Sequence, residues 1–225
     1  MGKLHVAFCN ARAARYAVMN WHYSRRMPIG ALVKIGVWEN DQFIGAVIFG
    51  RGASPKLGRR WGLGPAENCE LVRVALTKHH APVSQILAQS VRLLKKHCPG
   101  LRLIVSFADP AAGHHGGVYQ ASNWIYTGTT GSSTETFHEG RWKHQREISG
   151  GAFGQPAKLT RAEVKRLPTR QKPGKHRYLL PLDANIRKSI RLSSKPYPMR
   201  QPTKRDSGFQ PEEGGAEPTL ALSST

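Results

Sequence analysis

The chain has 225 residues, of which 39% are hydrophobic, and its 34 Lys and Arg against 14 Asp and Glu give a formal net charge of +20. This composition excludes a disordered basic tail, and with no run of about 18 apolar residues the sequence predicts no transmembrane helix. The polar N-terminus and three isolated cysteines predict neither a signal peptide nor a disulfide framework, so we expect a folded cytoplasmic protein, without a membrane partner, that binds a polyanion.

The apolar patterns predict alternating strands and helices. Asn10 is the expected N-cap of the first helix, Asn40-Asp41 the turn of a hairpin, and Pro82 an early residue of the longest helix. The predicted elements are, in chain order, a strand at 4–10, a helix at 11–23, an antiparallel pair at 31–40 and 42–52, a strand at 69–77, a helix at 83–98, a buried strand at 101–109, a short helix at 116–124, a strand at 125–130 and a last strand near 177–183. This order predicts an α/β (α+β) fold with a mixed sheet flanked by helices, and it resembles the N-acetyltransferase fold.

The positive charge is concentrated after residue 140. Residues 1–140 carry 16 Lys and Arg against 7 Asp and Glu, whereas residues 141–205 carry 18 against 3. Each Lys or Arg contact to a polyanion would gain from counterion release. We expect an acyltransferase-like core at 1–140, a basic extension at 141–195 and a disordered tail at 196–225.

A first group of reactive side chains lies at the end of the first helix. His22 and Tyr23 stand beside Arg25 and Arg26 in the string NWHYSRR. A histidine and a tyrosine can transfer a proton, and arginines hold phosphates. The alternative is an aromatic helix end with solvated arginines.

A second group follows the buried strand. Ser106 and Asp109 stand at its end, before a Gly-rich turn, and Tyr119 lies near the next helix. Open α/β sheets place ligand sites at this position, and a carboxylate there is costly unless paired. The alternative is that Asp109 caps the turn and Tyr119 packs in the core.

Two further patterns are less informative. Glu70 and Arg73 share one strand and lie on opposite faces by strict alternation, unless a bulge intervenes. The adjacent pairs His79-His80 and His114-His115 lack the spacing of a helical metal site, so they predict no zinc site.

Three strings, NWHYSRRMP, CELVRVALT and SFADPAAGHHGGVYQASNWIYTG, resemble the Mom family of bacteriophage Mu and its relatives, from about residue 3 to about residue 182. The resemblance implies a transferase that converts adenine in phage DNA to N6-carbamoylmethyladenine and shields the DNA from host restriction. It also implies the N-acetyltransferase-like fold.

The resemblance also implies which residues act. It places functional residues at His22, Tyr23, Asp109 and Tyr119, and less securely at Arg73 and Ser106. It further implies iron, for which His22 and Asp109 would be ligands together with a tyrosine. The sequence spacing gives no independent support for that metal.

The sequence departs at one place from the pattern of the N-acetyltransferase superfamily, and this leaves the identity of the acyl donor open. Acyl-CoA-dependent members bind the pyrophosphate on a Gly-rich loop before the long helix. Here that segment, ALTKHHAPVSQ, has no Gly, and Pro82 lacks an N–H donor. Because a carbamoylmethyl group is an isomer of a glycyl group, we expect glycyl-tRNA as the donor, with acetyl-CoA as the alternative.

The expected partners are nucleic acids. An adenine in double-stranded DNA must be flipped out before its amino group can react, and tRNA is a second candidate partner. Asp109 or His22 is the expected base, and Tyr23 or Tyr119 the expected donor to the oxyanion or to the leaving hydroxyl. Residues expected to hold phosphates are Arg25, Arg26, Lys56, Arg59, Arg60 and Arg73.

Two other functions stay open from sequence alone. An acetyl-CoA-dependent N-acetyltransferase acting on a protein or small-molecule amine would share the fold but need the CoA loop. A non-catalytic basic DNA-binding protein would explain the charge but neither SFADP nor NWHYS.

Overall fold

The computed structural model describes residues 2–52, 56–144, 148 and 159–199, and these residues form two sheets and five α-helices. The strands are β1 Leu4–Phe8, β2 Leu32–Glu39, β3 Gln42–Gly50, β4 Asn68–Leu76, β5 Leu103–Ala108, β6 Ile125–Thr129, β7 Ser133–His138, β8 Arg141–His144, β9 Thr169–Lys172 and β10 His176–Pro181. The helices are α1 Ala11–Trp21, α2 Val83–His97, α3 Gly117–Gln120, α4 Arg161–Arg166 and α5 Ala184–Arg191.

The larger sheet has the strand order β1-β2-β3-β4-β5-β10-β6. Its strands pair antiparallel except β4 with β5, which are parallel. The mixed sheet flanked by helices confirms the predicted fold class. β10 corresponds to the last strand expected near 177–183, and it pairs with both β5 and β6. Part of the basic extension therefore lies inside the main sheet.

Local signals place α1, α2 and the first hairpin where the sequence predicts them, whereas the sequence does not predict α4 and α5. The Asn10 side chain accepts the N–H of Ala13 and caps α1. Asn40 and Asp41 have φ values of 51° and 63°, the left-handed conformation that a two-residue hairpin turn requires. In α2 the side chains of Ile86 and Leu87 are fully buried, as the apolar stripe predicts.

The helices cover both faces of the sheet. α2 packs on one face against a core that includes Ile35, Val47 and Ile104. On the other face α1 packs its small residues against β3 and β4, and α5 packs on β5 and β10 in a separate cluster. Burying such side chains stabilises the fold by about 1.5–3 kcal/mol each.

The smaller sheet, in the order β8-β7-β9, is absent from the sequence prediction. Its strands are short and mostly polar or charged, with Phe137 and Trp142 as their only large apolar side chains, so they lack the hydrophobic signal of a strand. α3 is also shorter than the predicted helix at 116–124.

The last described residues, 195–199, include two that hydrogen-bond to the chain at β6 and just before it. The Lys195 amide donates to the Tyr126 carbonyl at 2.9 Å, and the Tyr197 hydroxyl donates to the Trp124 carbonyl at 2.7 Å. Residues 196–199 of the expected tail thus contact the folded part, and residues 200–225 lie outside the described ranges. Within those ranges no helix is both long enough and apolar enough to cross a bilayer.

Candidate active site

A pocket opens where the two parallel strands part. The paired register of β4 and β5 runs from Asn68 opposite Leu103 to Leu71 opposite Ser106, and each strand then continues without the other. The gap beyond that point is a pocket of about 620 Å³. The pocket is lined by residues 70–74 of β4, residues 107–109 at the end of β5, residues 113–119 before and in α3, Trp21, His22, Tyr23 and Lys175.

This pocket brings together most of the residues that the sequence singles out. His22, Tyr23, Asp109 and Tyr119 all line it, although they come from three separate segments. Ser106 lies beneath the pocket, hydrogen-bonded to Tyr119.

A β-bulge brings two charges to the same wall. The register of β3 against β4 shifts so that Ile48 faces Arg73 and Phe49 faces Leu71, which leaves Val72 as the extra residue. Glu70 and Arg73 therefore both line the pocket, contrary to strict alternation. The Arg73 guanidinium donates to the carbonyl of Val72 at 2.7 Å and to that of Arg26 at 3.3 Å, which fixes the end of its side chain.

His22 is held in one tautomer. It follows α1 in an extended conformation, and the backbone N–H of Ser24 donates to its Nδ1 at 3.1 Å. Because an amide N–H can only donate, Nδ1 is unprotonated and the neutral ring carries its proton on Nε2. Desolvation, then the positive charge of Arg73 and the neighbouring His114, lowers the pKa of His22 to about 4. At neutral pH His22 is therefore uncharged, its Nε2–H is free to donate, and its one lone pair, on Nδ1, is engaged by Ser24.

Tyr23 stands at the rim of the pocket. Its ring contacts those of His22 and His114, with centroids 4.4 Å and 4.8 Å away. Desolvation, then the negative charge of Asp109, raises the pKa of Tyr23, so its hydroxyl keeps its proton at neutral pH. A protonated phenol at the rim can donate to a ligand entering the pocket.

Tyr119 is oriented by Ser106. The Ser106 Oγ lies 2.9 Å from the Leu71 carbonyl oxygen and 2.8 Å from the Tyr119 hydroxyl. A carbonyl can only accept and serine has one proton, so with Ser106 donating to Leu71, Tyr119 donates to Ser106. Burial raises the pKa of Tyr119 to about 12. The lone pairs of its oxygen are left to accept a hydrogen bond from the pocket.

Asp109 is a buried carboxylate, with its side chain 6% exposed. Its Oδ1 accepts the N–H of Ala111 and so caps the turn after β5, as the structural alternative in the sequence analysis expects. Its Oδ2 lies 3.0 Å from Lys172 Nζ and 3.9 Å from Lys175 Nζ. Burial would lower the pKa of Lys172, but the bond to Asp109 and the charges of Asp109 and Glu135 raise it overall. Lys172 and Lys175 could not be predicted as site residues, because no sequence pattern relates the segment around residue 172 to Asp109.

The basic residues expected to hold phosphates fall into two places. Arg73 lines the pocket, and Arg25 and Arg26 are exposed just after His22 and Tyr23. The other three, Lys56, Arg59 and Arg60, are exposed in the connection between β3 and β4 and do not line the pocket.

The pocket residues do not fit the iron that the resemblance implies. His22 has its Nδ1 occupied by Ser24 and its Nε2 protonated, and the ammonium groups of Lys172 and Lys175 beside Asp109 Oδ2 would repel a metal cation. Within the described ranges no group of three His, Cys, Asp or Glu side chains is placed to hold a metal ion.

The start of α2 does not fit the pyrophosphate of a CoA donor. The backbone N–H groups of His80 and Ala81 donate to the two carboxylate oxygens of Glu39, at 2.9 Å and 2.7 Å. Glu39 is 7% exposed, and the N–H bond from His80 is the main cause that lowers its pKa. An internal carboxylate thus occupies the donors that would face an anion at this helix start.

Comparison with known proteins gives a family match over nearly the whole chain. The model of the Mom protein family matches residues 3–199. The methylcarbamoylase mom of Escherichia phage Mu is 30% identical over 210 residues, which cover 87% of this chain and 84% of that protein.

Solved structures show weaker likenesses. A putative acetyltransferase from Acinetobacter baylyi is 14% identical with a TM-score of 0.43, covering 81% of this chain and 94% of its own. An N-acyl amino acid synthase from uncultured soil microbes is 12% identical with a TM-score of 0.44, covering 81% and 92%. A Bacillus subtilis acetyltransferase in complex with CoA is 10% identical with a TM-score of 0.43, covering 81% and 100%.

Proposed function

The chain belongs to the Mom protein family, and on that premise we propose that it is a transferase that modifies adenine in phage DNA. The product is N6-carbamoylmethyladenine, which protects the DNA from host restriction enzymes in the cytoplasm of the infected cell. The observation that carries this proposal is the pocket between β4 and β5, which combines fixed hydrogen-bond donors with a buried carboxylate.

The flipped adenine occupies this pocket. Its amino group lies between Asp109 and Tyr119, whose oxygens both accept hydrogen bonds there. Two hydrogen-bond acceptors fix the two N–H bonds of the amine and so direct its lone pair at the group that is to be transferred. Arg25 and Arg26, next to the rim, hold the phosphates of the flipped nucleotide and its neighbour.

Glycyl-tRNA is the donor that we favour. Support comes from the start of α2, where Glu39 occupies the N–H groups that a CoA pyrophosphate would need. A tRNA ester is activated for acyl transfer, and tRNA is itself a polyanion that suits a chain with a net charge of +20.

In the first step the adenine N6 attacks the ester carbonyl of the glycyl group. A C–N bond forms, the ester C–O bond breaks, and the N6 proton ends on the ribose hydroxyl of the tRNA. His22 Nε2–H and the Arg73 guanidinium donate to the oxygen that becomes negative in the transition state. Tyr23 at the rim protonates the leaving ribose oxygen, and the proton that N6 loses to Asp109 then returns to Tyr23, so that both side chains regain their starting protonation states.

Asp109 accepts the proton from N6 in this step. Ion pairs with Lys172 and Lys175 hold its carboxylate at the pocket. A carboxylate suffices as the base, because the nitrogen becomes positively charged and strongly acidic as it attacks. This assigns the base to Asp109 and the donor role to His22, between which the sequence leaves the choice open.

In the second step the product rearranges without any further reagent. The glycyl amine attacks C6 through a five-membered ring, and the bond from C6 to the original nitrogen breaks. That nitrogen becomes the amide of the carbamoylmethyl group. No oxidation or reduction takes place, since the two groups are isomers.

Mass spectrometry of nucleosides tests the proposal. The full chain is incubated with duplex DNA and either glycyl-tRNA or acetyl-CoA, and the DNA is digested. We expect N6-carbamoylmethyl-deoxyadenosine in the digest only when glycyl-tRNA is the donor. An acetylated or carbamoylmethylated adenine formed from acetyl-CoA without tRNA would overturn the donor, and unmodified DNA under both conditions would overturn the function.

Isotope labelling tests the rearrangement separately. In DNA with ¹⁵N at the adenine amino group, we expect the label in the amide of the product. A label that stays between C6 and the methylene carbon would show that the two nitrogens do not exchange.

A further inference from the structure

One face of the smaller sheet carries aromatic and basic side chains together. The register places Phe137 opposite Trp142 and Glu135 opposite Arg170. Since side chains alternate along a strand, these four residues and Lys172 share one face. We call it the aromatic–basic face.

The aromatic rings of this face are exposed. Phe137 is 39% and Trp142 36% exposed. On the opposite face Thr136 and Lys143 are buried, whereas Arg141, Thr169 and Gln171 are exposed. Exposed aromatic rings that share a face with basic side chains indicate a surface that meets a partner.

Contacts on the aromatic–basic face hold its rings in place. Phe137 and Trp142 pack edge to face with centroids 5.4 Å apart. The Arg170 guanidinium lies 4.5 Å from the centre of the Trp142 ring, and it donates to Glu135 at 2.7 Å and 3.0 Å. Ordered rings of this kind lose little entropy when a ligand stacks on them.

A chain of ion pairs connects this face to the pocket. Glu135 accepts from Arg170 and lies 3.6 Å from Lys172, which contacts Asp109 at 3.0 Å. A ligand on the aromatic–basic face therefore lies beside a chain of ion pairs that ends at Asp109, the residue that we assign as the base.

We propose that the aromatic–basic face binds the DNA strand that flanks the target adenine, with Trp142 stacking on a base or sugar and Arg170 near a phosphate. This inference rests on the proposed function. The only carboxylate that we place on the face, Glu135, is paired with Arg170 and Lys172, so the face does not repel phosphates. Aromatic rings interleaved with cations on a sheet suit nucleic acid strands.

The target adenine favours DNA over tRNA as the ligand of this face. An adenine whose amino group lies at Asp109 brings its neighbours in the DNA strand close to Lys172, which contacts Asp109 and lies on the aromatic–basic face. Extrusion of the adenine also unstacks those neighbours and leaves a base face for Trp142.

Fluorescence anisotropy with the full chain tests this. A labelled duplex that contains adenines and a labelled tRNA are titrated with the wild type, Trp142→Ala, Trp142→Phe and Phe8→Ala. Phe8 is the matched control, since it is 47% exposed on a strand of the other sheet. We expect Trp142→Ala to weaken duplex binding about tenfold, and Trp142→Phe and Phe8→Ala to bind as the wild type does.

Each other outcome counts against the proposal. Equal duplex affinity of Trp142→Ala and Phe8→Ala overturns it, and so does a loss confined to tRNA. If Trp142→Ala does not fold, Arg170→Met takes its place, with a threefold or greater weakening expected and unchanged binding as the overturning result. Nucleoside analysis of wild-type reactions reports on the proposed function independently, because DNA binding is measured without any turnover.

Discussion

Lys172 Nζ lies 3.0 Å from Asp109 Oδ2, and this ion pair joins the smaller sheet to the end of β5 in the larger one. The acidic partner comes from the segment that the sequence marks as a site, and the basic partner comes from a strand that the sequence does not predict. Site and basic segment are therefore parts of one structure.

Removal of either partner of this pair destabilises the site. We expect a double-mutant cycle of Asp109→Asn and Lys172→Met to give a coupling free energy of about 1–3 kcal/mol in urea unfolding. The surface pair of Arg102 and Glu67, at 3.2 Å, is the control and should couple less because water screens it. Equal coupling in the two cycles would mean that Lys172 does not hold Asp109.

His22 should behave as a donor in kinetics. We expect His22→Ala to lower the rate of DNA modification about a hundredfold, as loss of an oxyanion donor does. His22→Gln keeps an N–H in a similar place and should retain more activity than His22→Ala. Equal loss in both variants would argue against donation from Nε2.

The pH profile gives a second test of His22. Its pKa is lowered to about 4, so the folded protein keeps the ring neutral between that value and its ordinary 6.5. Protonation of His22 should therefore cause no fall in the rate of DNA modification near pH 6.5, and the pH profiles of the wild type and His22→Gln should have the same shape there. In this interval the unfolded chain binds a proton that the folded chain does not, so the stability of the wild type should decrease as pH falls, and more than in His22→Gln.

Glu39 should contribute to stability at neutral pH. The N–H bonds from His80 and Ala81 lower its pKa, so its contribution is complete above the unfolded pKa of about 4.5 and is lost as pH falls through the lower folded value. We expect Glu39→Gln to lower the urea midpoint at pH 7 and to differ less from the wild type in acid. Gln42→Ala, an exposed change in the next strand, should have no effect at either pH.

Calorimetry with acetyl-CoA examines the same helix start. The wild type should show no binding in the micromolar range, because Glu39 occupies the donors for a pyrophosphate. If acetyl-CoA bound with micromolar affinity to the wild type and equally well to Glu39→Gln, it would either bind elsewhere on the protein or show that Glu39 does not block a pyrophosphate at this helix start.

Gly116 and Gly113 form a matched pair in the loop before α3. Both have positive φ, 87° and 75°, so Ala at either position costs about 1–2 kcal/mol in the backbone. A Cβ on Gly116 would also lie 2.2 Å from the Tyr178 ring, whereas one on Gly113 meets nothing within 4 Å. We expect Gly116→Ala to destabilise by about 1–3 kcal/mol more than Gly113→Ala in urea unfolding. Similar losses would mean that the loop moves aside.

Much of the larger sheet could be predicted because its strands carry regular apolar patterns and its turns carry Asn-Asp, Pro and Gly. The location of Asp109 after a buried strand was also predictable, since that position follows from the fold class. The shared wall of Glu70 and Arg73 was not predictable, because one extra residue at Val72 reverses which face the following residues occupy. Nor was the small sheet, whose charged strands owe their stability to ion pairs between distant segments.

The position of β10 has a consequence for how the protein is made. β5 and β6 are each paired with β10 and not with each other, so both keep an open hydrogen-bonding edge until residues 176–181 arrive. During synthesis a nascent chain that ends before those residues cannot complete the sheet, and Lys172 and Lys175 cannot yet reach Asp109. The pocket and the larger sheet thus stay unassembled until residues 172–181 have been synthesised, and termination before them yields fragments with exposed strand edges that are prone to aggregation.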